Sequence, residues 1–195
     1  AMVAIIITTH MALDYAKIRY FGDKLAAFVA DQFSHLLVIT AIALTYPGLA
    51  ASGYWALLPG DIQAWLYAGM TLASGTIAAV PVGGIVIKKL VEQLAPPPAA
   101  PSSGDDQRPS GMAKGGKYIG WLERGLTLVF ILADRFEAVG FLLTAKSILR
   151  FGDIRDNSDD RHVQEYIIIG TMLSFGWGIG IALLTISALT FWIAN

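Results

Sequence analysis

Residues 10–35 read HMALDYAKIRYFGDKLAAFVADQFSH, and this stretch predicts a helical hairpin. His10 precedes Asp14 by four positions, and Asp31 precedes His35 by the same interval. Residues four apart lie on one face of an α-helix, so each pair shares a helical face. The two spacings are mirror images about a short basic turn. Two helices folded back at this turn would place the two histidines level with each other, and likewise the two aspartates.

The composition is typical of a membrane protein. Of 195 residues, 55% are apolar and 15% are charged, with a mean hydropathy of +0.57, whereas soluble domains are about 25% charged. The segments 36–46, 62–87 and 166–193 carry no charge, and the last two are long enough to cross about 30 Å of hydrocarbon. Absence of cysteine excludes disulfides and thiolate chemistry. A net charge of −1 argues against a nucleic-acid-binding protein.

We predict an all-α, polytopic transmembrane bundle of about five helices. Their expected bounds are 2–18, 24–46, 61–94, 118–151 and 163–193. Pro47 should stop the second helix, and Pro81 should kink the third within the membrane. A segment rich in proline, glycine and serine is expected to be a flexible linker. The predicted domains are a three-helix membrane part over 1–95, the linker over 96–117 and a two-helix membrane part over 118–195.

The distribution of basic residues predicts the topology. Lys17, Arg19 and Lys24 flank the first turn, the linker region carries several more, and the loop over 47–61 has none. Because cytoplasmic loops are enriched in lysine and arginine, the first turn and the linker should be cytoplasmic. Three arginines over 150–161 would violate this rule, and the sequence does not settle why.

The two His/Asp pairs allow two interpretations. In one, His10, Asp14, Asp31 and His35 are ligands of a divalent metal ion such as Zn²⁺ or Mn²⁺. An open coordination position could then generate a hydroxide for hydrolysis. In the other, the pairs hydrogen-bond to each other inside a bundle. Lys17 shares a face with the first pair, and we interpret it as an anchor at the membrane surface in preference to a catalytic amine.

The predicted fourth helix carries unusually many charges for a membrane segment. Three of its basic residues recur every eleven positions and would form one column. The resulting polar ladder comprises Glu123, Arg124, Arg135 and Lys146. It is either a polar groove or proton path, or a structural series of ion pairs. Asp134 and Glu137 are the candidate catalytic residues, as a general base or as additional metal ligands.

Two predicted helices have small residues at every fourth position. These are Thr71, Gly75, Ala79 and Gly83 on the third helix, and Gly170, Ser174, Gly178 and Ala182 on the fifth. Such faces permit close helix packing in lipid. They are also the surfaces through which other membrane-protein subunits would bind.

Four stretches resemble a family of bacterial inner-membrane proteins known as domain of unknown function 3307. They are THMALDYAKIRY (9–20), FVADQFSHLLVI (28–39), GWLERGLTLVFILADRFEAVGFLLTAKSILRFGDI (120–154) and EYIIIGTMLSF (165–175). The resemblance implies a multi-helix protein of the bacterial inner membrane and no established activity. Family members begin with further helices carrying a His-x-x-Gly-Asp pattern, which has no counterpart here. The His-x-x-x-Asp pattern is also similar to that of membrane-bound metal-dependent hydrolases.

Three functions therefore remain open. The first, favoured because no complete catalytic set is visible, is a non-catalytic or accessory subunit of a membrane assembly. The second is an intramembrane metal-dependent hydrolase built on the His/Asp pairs, and the third is a proton or ion pathway along the fourth helix. Expected partners are membrane lipid and other membrane subunits, with no nucleic acid. Whether the protein is an enzyme is left open.

Overall fold

A computed structural model describes residues 2–22, 25–94, 115–156 and 161–194. Within these ranges the secondary structure is helical and contains no strand, which confirms the all-α class. The chain divides into two compact units, Ala1–Gln63 and Ala64–Asn195, and each is described by itself. Most of the predicted linker, residues 96–114, lies outside the described residues.

The first unit is built on a helical hairpin in which α1 packs against α2. Its elements are α1 (Met2–Ala16), a π-helical turn (Lys17–Phe21), α2 (Leu25–Thr45), the short α3 (Gly48–Ala51) and a 3₁₀ turn (Tyr54–Leu57). The π-helical turn ends at Gly22, whose φ of 65° is accessible to glycine because it has no Cβ. The second helix ends two residues before Pro47, as predicted.

The second unit begins within α4 and is organised around the last helix. Its elements are α4 (Gly60–Ile77), a π-helical turn (Ala78–Val82), α5 (Gly83–Leu94), α6 (Gly115–Leu132), α7 (Phe136–Asp156) and α8 (Arg161–Ala194). The π-helical turn contains Pro81, so the predicted irregularity of the third helix is confirmed. Trp177 Nε1 donates a hydrogen bond of 3.0 Å to the carbonyl of Ala78 in this turn. A neighbouring helix thus satisfies backbone near the proline, where regular helical bonding is lost.

The single fourth helix predicted over 118–151 is wrong, because two helices occupy this part of the chain. The first ends at Leu132 and the second begins at Phe136. Between them Asp134 has a φ of 56°. Asp134 N donates to Ile131 O at 3.0 Å and Arg135 N to Phe130 O at 2.8 Å, which together form a Schellman motif. The predicted loop over 152–161 is also shorter than expected, since α7 continues to Asp156. When α4, the π-helical turn and α5 are counted as one continuous helix, the described residues contain six long helices where about five were predicted.

This geometry makes Asp134 sensitive to the shape of the side chain that replaces it. Asp134→Val should destabilise the second unit by about 1–2 kcal/mol, because a β-branched residue is strained in the left-handed region. Asp134→Gly should be tolerated, since glycine adopts this conformation freely. Thermal unfolding of both variants in detergent tests this. Equal stability of the two variants would show that the backbone at this position is not constrained.

Three helices are long and apolar enough to cross a membrane within the described part of the chain. They are Leu25–Thr45, Gly60–Leu94 and Glu165–Ile193. Large apolar side chains on them are exposed in the isolated chain, including Leu36, Trp65 and Leu184. A soluble protein rarely exposes this much contiguous apolar surface, whereas lipid covers it at no cost. These three helices indicate a membrane protein.

The small-residue faces pack inside the second unit. Ala79 in the π-helical turn and Ala182 of α8 are both fully buried. A Cβ added at Gly75 would overlap the side chain of Thr185, and one at Gly178 would lie 3.3 Å from Thr127 Cγ2. These small residues therefore allow α4 and α6 to approach α8 closely. Contact of these faces with other subunits stays a prediction.

Gly75→Ala should consequently destabilise the second unit. The new methyl group must displace the buried Thr185 side chain, and overpacking of this kind costs about 1–3 kcal/mol. Gly69→Ala on the same helix is the matched control, because nothing lies within 4 Å of its added Cβ. The control should retain or slightly raise stability, since alanine is the better helix former. Thermal unfolding in detergent compares the two, and equal losses would argue against the close α4–α8 packing.

Candidate metal centre

The hairpin of the first unit brings its two histidines into edge-to-face contact. The imidazole rings of His10 on α1 and His35 on α2 have centroids 4.5 Å apart, with an interplanar angle of 72°. This is the arrangement expected when two helices with mirrored i,i+4 pairs fold back on each other. The mirror spacing therefore places the histidines level, as the sequence predicts.

Asp14 lies between the two histidines. Its Oδ2 is 3.4 Å from His10 Nε2, and its Oδ1 is 3.7 Å from His35 Nε2. The possible ligand atoms of the three residues all lie within 4.8 Å of one another. Tetrahedral zinc with bonds of about 2.0–2.1 Å separates its ligand atoms by about 3.3 Å. Small side-chain rotations would therefore bring these three groups around one ion.

The tautomer of a neutral His35 ring follows from the hydrogen bond that its Nδ1 atom makes. Its Nδ1 lies 2.8 Å from the backbone carbonyl oxygen of Asp31, which can only accept. A neutral His35 ring must therefore carry its hydrogen on Nδ1 and a free lone pair on Nε2. This Nε2 is buried and has no hydrogen-bond partner among the described residues. Fixing the tautomer through the second nitrogen is the arrangement found for histidines that bind metals.

Asp31 is held by other groups. Its Oδ2 accepts hydrogen bonds from Lys17 Nζ at 2.8 Å and from Gln32 Nε2 at 2.9 Å. Its Oδ1 lies 3.6 Å from His35 Nδ1 and is otherwise without a partner among the described residues. Asp31 thus orients the ring of His35 through its backbone carbonyl and is not itself one of the three possible metal ligands, His10, Asp14 and His35. Lys17 points into the hairpin to form an ion pair, instead of reaching toward the membrane surface as predicted.

The cluster is buried on one side and accessible on the other. The side chain of His35 is 19% exposed, that of Asp14 is 46% exposed and that of His10 is 57% exposed. A cavity of about 270 Å³ adjoins both histidines and is otherwise lined mainly by aliphatic residues, including Leu13 and Val38. An ion bound here would have protein on one side and an apolar pocket beside it.

The other predicted site residues lie in the second unit. Glu123 and Lys146 form an ion pair of 2.6 Å, which supports the structural interpretation for these two members of the polar ladder. The break between α6 and α7 prevents the predicted single column, and Arg135 is exposed within that break. Asp134 and Glu137 are exposed at the same break. Their role as acid or base stays a prediction.

Fold and cluster together define a membrane-embedded helical protein with a candidate metal centre in its N-terminal hairpin. Residues 1–58 match the model of the family described as protein of unknown function DUF3307, which confirms the resemblance over that segment. All four His/Asp residues of the hairpin lie within the matched range, whereas the stretches 120–154 and 165–175 lie outside it. Comparisons with curated proteins and with solved structures gave no match.

Proposed function

We propose that the protein binds one divalent transition-metal ion of the zinc class through His10, Asp14 and His35. The observation that carries this proposal is the buried Nε2 of His35, which has no hydrogen-bond partner among the described residues. It lies with the ligand atoms of His10 and Asp14 such that all three are within 4.8 Å of one another. Without a cation, this lone pair would face the carboxylate of Asp14 at a distance too long for a hydrogen bond. A metal ion would satisfy both groups.

The ligand types favour a transition metal over calcium or magnesium. Imidazole nitrogen suits zinc, copper, iron and nickel, whereas calcium and magnesium are bound through oxygen atoms. Two histidines and one carboxylate also form the three-ligand set of catalytic zinc sites, which leave a fourth position open. Two neutral imidazoles and one carboxylate leave a net charge of +1 on a divalent ion in this site.

We infer hydrolysis as the reaction class. An open position on such an ion holds a water molecule and lowers its pKa to about 7, so that hydroxide is available near neutral pH. The aliphatic cavity beside the histidines would accept the apolar part of a substrate. An ester or amide of a lipid-like molecule fits both features.

The two other functions receive less support. The small residues that suggested an accessory subunit are engaged inside the second unit, as Ala79 and Ala182 exemplify. The ion pathway required a continuous fourth helix, and the helix break at Asp134 interrupts it. An accessory role remains compatible with a bound metal, and a partner complex that survives metal removal would support it.

Elemental analysis of the detergent-purified protein tests the metal proposal. After chelation and reloading, we expect one zinc ion per chain in the wild type and in the control Asp61→Ala, whose carboxylate is exposed at the start of α4. Asp14→Ala should weaken zinc binding by more than about 100-fold, the upper loss seen for groups that only support a ligand. Wild-type protein without metal, or equal binding by Asp14→Ala, would overturn the proposal.

Hydrolysis has a separate test. Zinc-loaded protein in detergent is incubated with 4-nitrophenyl octanoate, and release of nitrophenolate is compared with that of the chelated protein. We expect metal-dependent release that is lost in Asp14→Ala and retained in Asp61→Ala. Stoichiometric zinc without metal-dependent release from this and shorter esters would remove ester hydrolysis and leave metal binding in place.

A further inference from the structure

A second unusual group, independent of the metal centre, is the buried guanidinium of Arg124 in the second unit. The residue is only 5% exposed. Its Nε and Nη2 donate to the carbonyl of Val80 at 3.2 and 3.1 Å, and its Nη1 donates to Ser174 Oγ at 3.1 Å. Both acceptors are neutral. Because arginine stays protonated in proteins, these bonds leave a full positive charge buried.

No carboxylate forms a hydrogen bond or an ion pair with this guanidinium among the described residues. The adjacent Glu123 attracts it electrostatically, but the carboxylate of Glu123 is bound directly by Lys146 at 2.6 Å. The three charges together therefore leave an excess of one positive charge. A cation without an acidic partner of its own inside a membrane protein is expensive and usually marks a functional site.

The hydrogen bonds to Val80 explain only part of this arrangement. They provide donors for the Val80 carbonyl beside Pro81. A neutral hydrogen-bond donor could also do this, so these bonds do not explain why the residue is charged. A guanidinium has five N–H donors, and the three bonds leave one donor on each terminal nitrogen. A Cβ on Gly84 would lie 3.0 Å from Nη2, and one on Gly120 would lie 3.3 Å from Nη1. Glycine at both positions leaves room around these two nitrogens.

Two cavities of about 630 and 760 Å³ have Arg124 in their linings. The larger also contains Lys88, Lys117 and Glu92, so its charged lining including Arg124 has an excess of two positive charges. The smaller is lined largely by aliphatic residues, among them Ile87 and Leu142. Positive charge and aliphatic surface in adjoining spaces suit a ligand with an anionic head and an apolar tail.

We propose that Arg124 binds the phosphate group of an anionic amphiphile in these cavities. The two remaining N–H donors of the guanidinium accommodate two phosphate oxygens, which is the bidentate geometry that arginine favours. Lys88 and Lys117 add to the positive potential around the same group. The apolar tail occupies the aliphatic part of the lining. The same chemistry would also hold free phosphate, so the test separates the two sources.

Binding is measured on the full chain in a non-ionic detergent by native mass spectrometry and by calorimetry. The probes are dioctanoyl phosphatidic acid, dioctanoylglycerol, which lacks the phosphate, and inorganic phosphate. We expect phosphatidic acid to bind and dioctanoylglycerol not to bind. If inorganic phosphate binds with an affinity similar to that of phosphatidic acid, the site is one for free phosphate. If phosphatidic acid binds and inorganic phosphate does not, the site is one for a lipid headgroup. Failure of both phosphate probes to bind would overturn the proposal.

Variants locate the binding at Arg124. Arg124→Gln keeps hydrogen-bond donors without the charge and should weaken phosphatidic acid binding by at least about tenfold, as expected for a charge-assisted bidentate contact. Arg135→Gln is the matched control, because this arginine is exposed in the same unit. If Arg124→Gln does not fold, Lys117→Ala should still weaken binding severalfold, since Lys117 is a basic residue in the lining of the larger cavity. Unchanged affinity in Arg124→Gln, or in Lys117→Ala as its substitute, would contradict the proposal.

Discussion

His35→Ala is expected to abolish stoichiometric zinc binding while leaving the membrane hairpin folded. His35 is the most buried of the three ligand residues, and its Nε2 has no partner among the described residues. Removing it leaves one imidazole and one carboxylate, which cannot hold a zinc ion against a chelator. Zinc affinity should fall by more than the factor of about 100 that is lost when a residue that only hydrogen-bonds to a metal ligand is removed. Competition with a fluorescent zinc chelator measures the affinity.

The control for this experiment is the chain's third histidine. His162→Ala removes an imidazole from α8 of the second unit, and His162 is not one of the three proposed ligands. It should retain one zinc ion per chain at wild-type affinity. Zinc retained by His35→Ala, or lost equally in both variants, would show that the ion is bound elsewhere.

Lys17→Met is expected to cause the largest loss of stability in the first unit. The variant removes the cation that lies 2.8 Å from Asp31 Oδ2, while the Asp31 side chain is only 5% exposed. A carboxylate left buried without its cation typically costs about 3–5 kcal/mol. Because Lys17 itself is 27% exposed, we expect a loss near the lower end, about 3 kcal/mol. Chemical unfolding in mixed micelles gives the free energy of unfolding.

The paired substitution distinguishes this electrostatic cause from lost packing. In Lys17→Met with Asp31→Asn the buried charge is gone, so most of the lost stability should return. The coupling between the two positions should then appear in a double-mutant cycle. Additive losses in the cycle would mean that the ion pair contributes little, and that Lys17 acts mainly through its aliphatic chain.

The approach of the two helices and of His10 to His35 could be predicted from spacing alone. An α-helix returns to the same face after four residues, so the mirrored pairs leave few other arrangements once the chain folds back. The stop before Pro47 and the irregular turn at Pro81 follow as directly from the chemistry of proline. Both features depend on local geometry, which is why the sequence reveals them.

The break between α6 and α7 gave no such signal. Neither glycine nor proline lies at Ala133–Arg135, and the left-handed residue is an aspartate, which occupies this region only occasionally. Periodicity across the break therefore predicted one continuous helix and one column of charges. The residue types at Ala133–Arg135 therefore could not show that the helix ends and the chain turns at this point.

The partners of buried charges were also out of reach. Lys17 pairs with Asp31 from a π-helical turn, whose register differs from that of the regular helix assumed for 2–18. Arg124 bonds to a backbone carbonyl 44 positions away. Such contacts depend on how whole helices pack, although a proline inside an apolar helix could have indicated that a polar side chain approaches nearby.

X-ray absorption spectroscopy at the zinc edge tests the metal centre most directly. For wild-type protein loaded with one zinc ion, we predict four or five nitrogen and oxygen neighbours at about 2.0–2.1 Å. The outer-shell scattering should correspond to two imidazole rings, and His10→Ala should lose this spectrum because it no longer holds one zinc ion per chain. A first shell of oxygen atoms without imidazole scattering, or a spectrum unchanged by that substitution, would contradict zinc binding by His10 and His35.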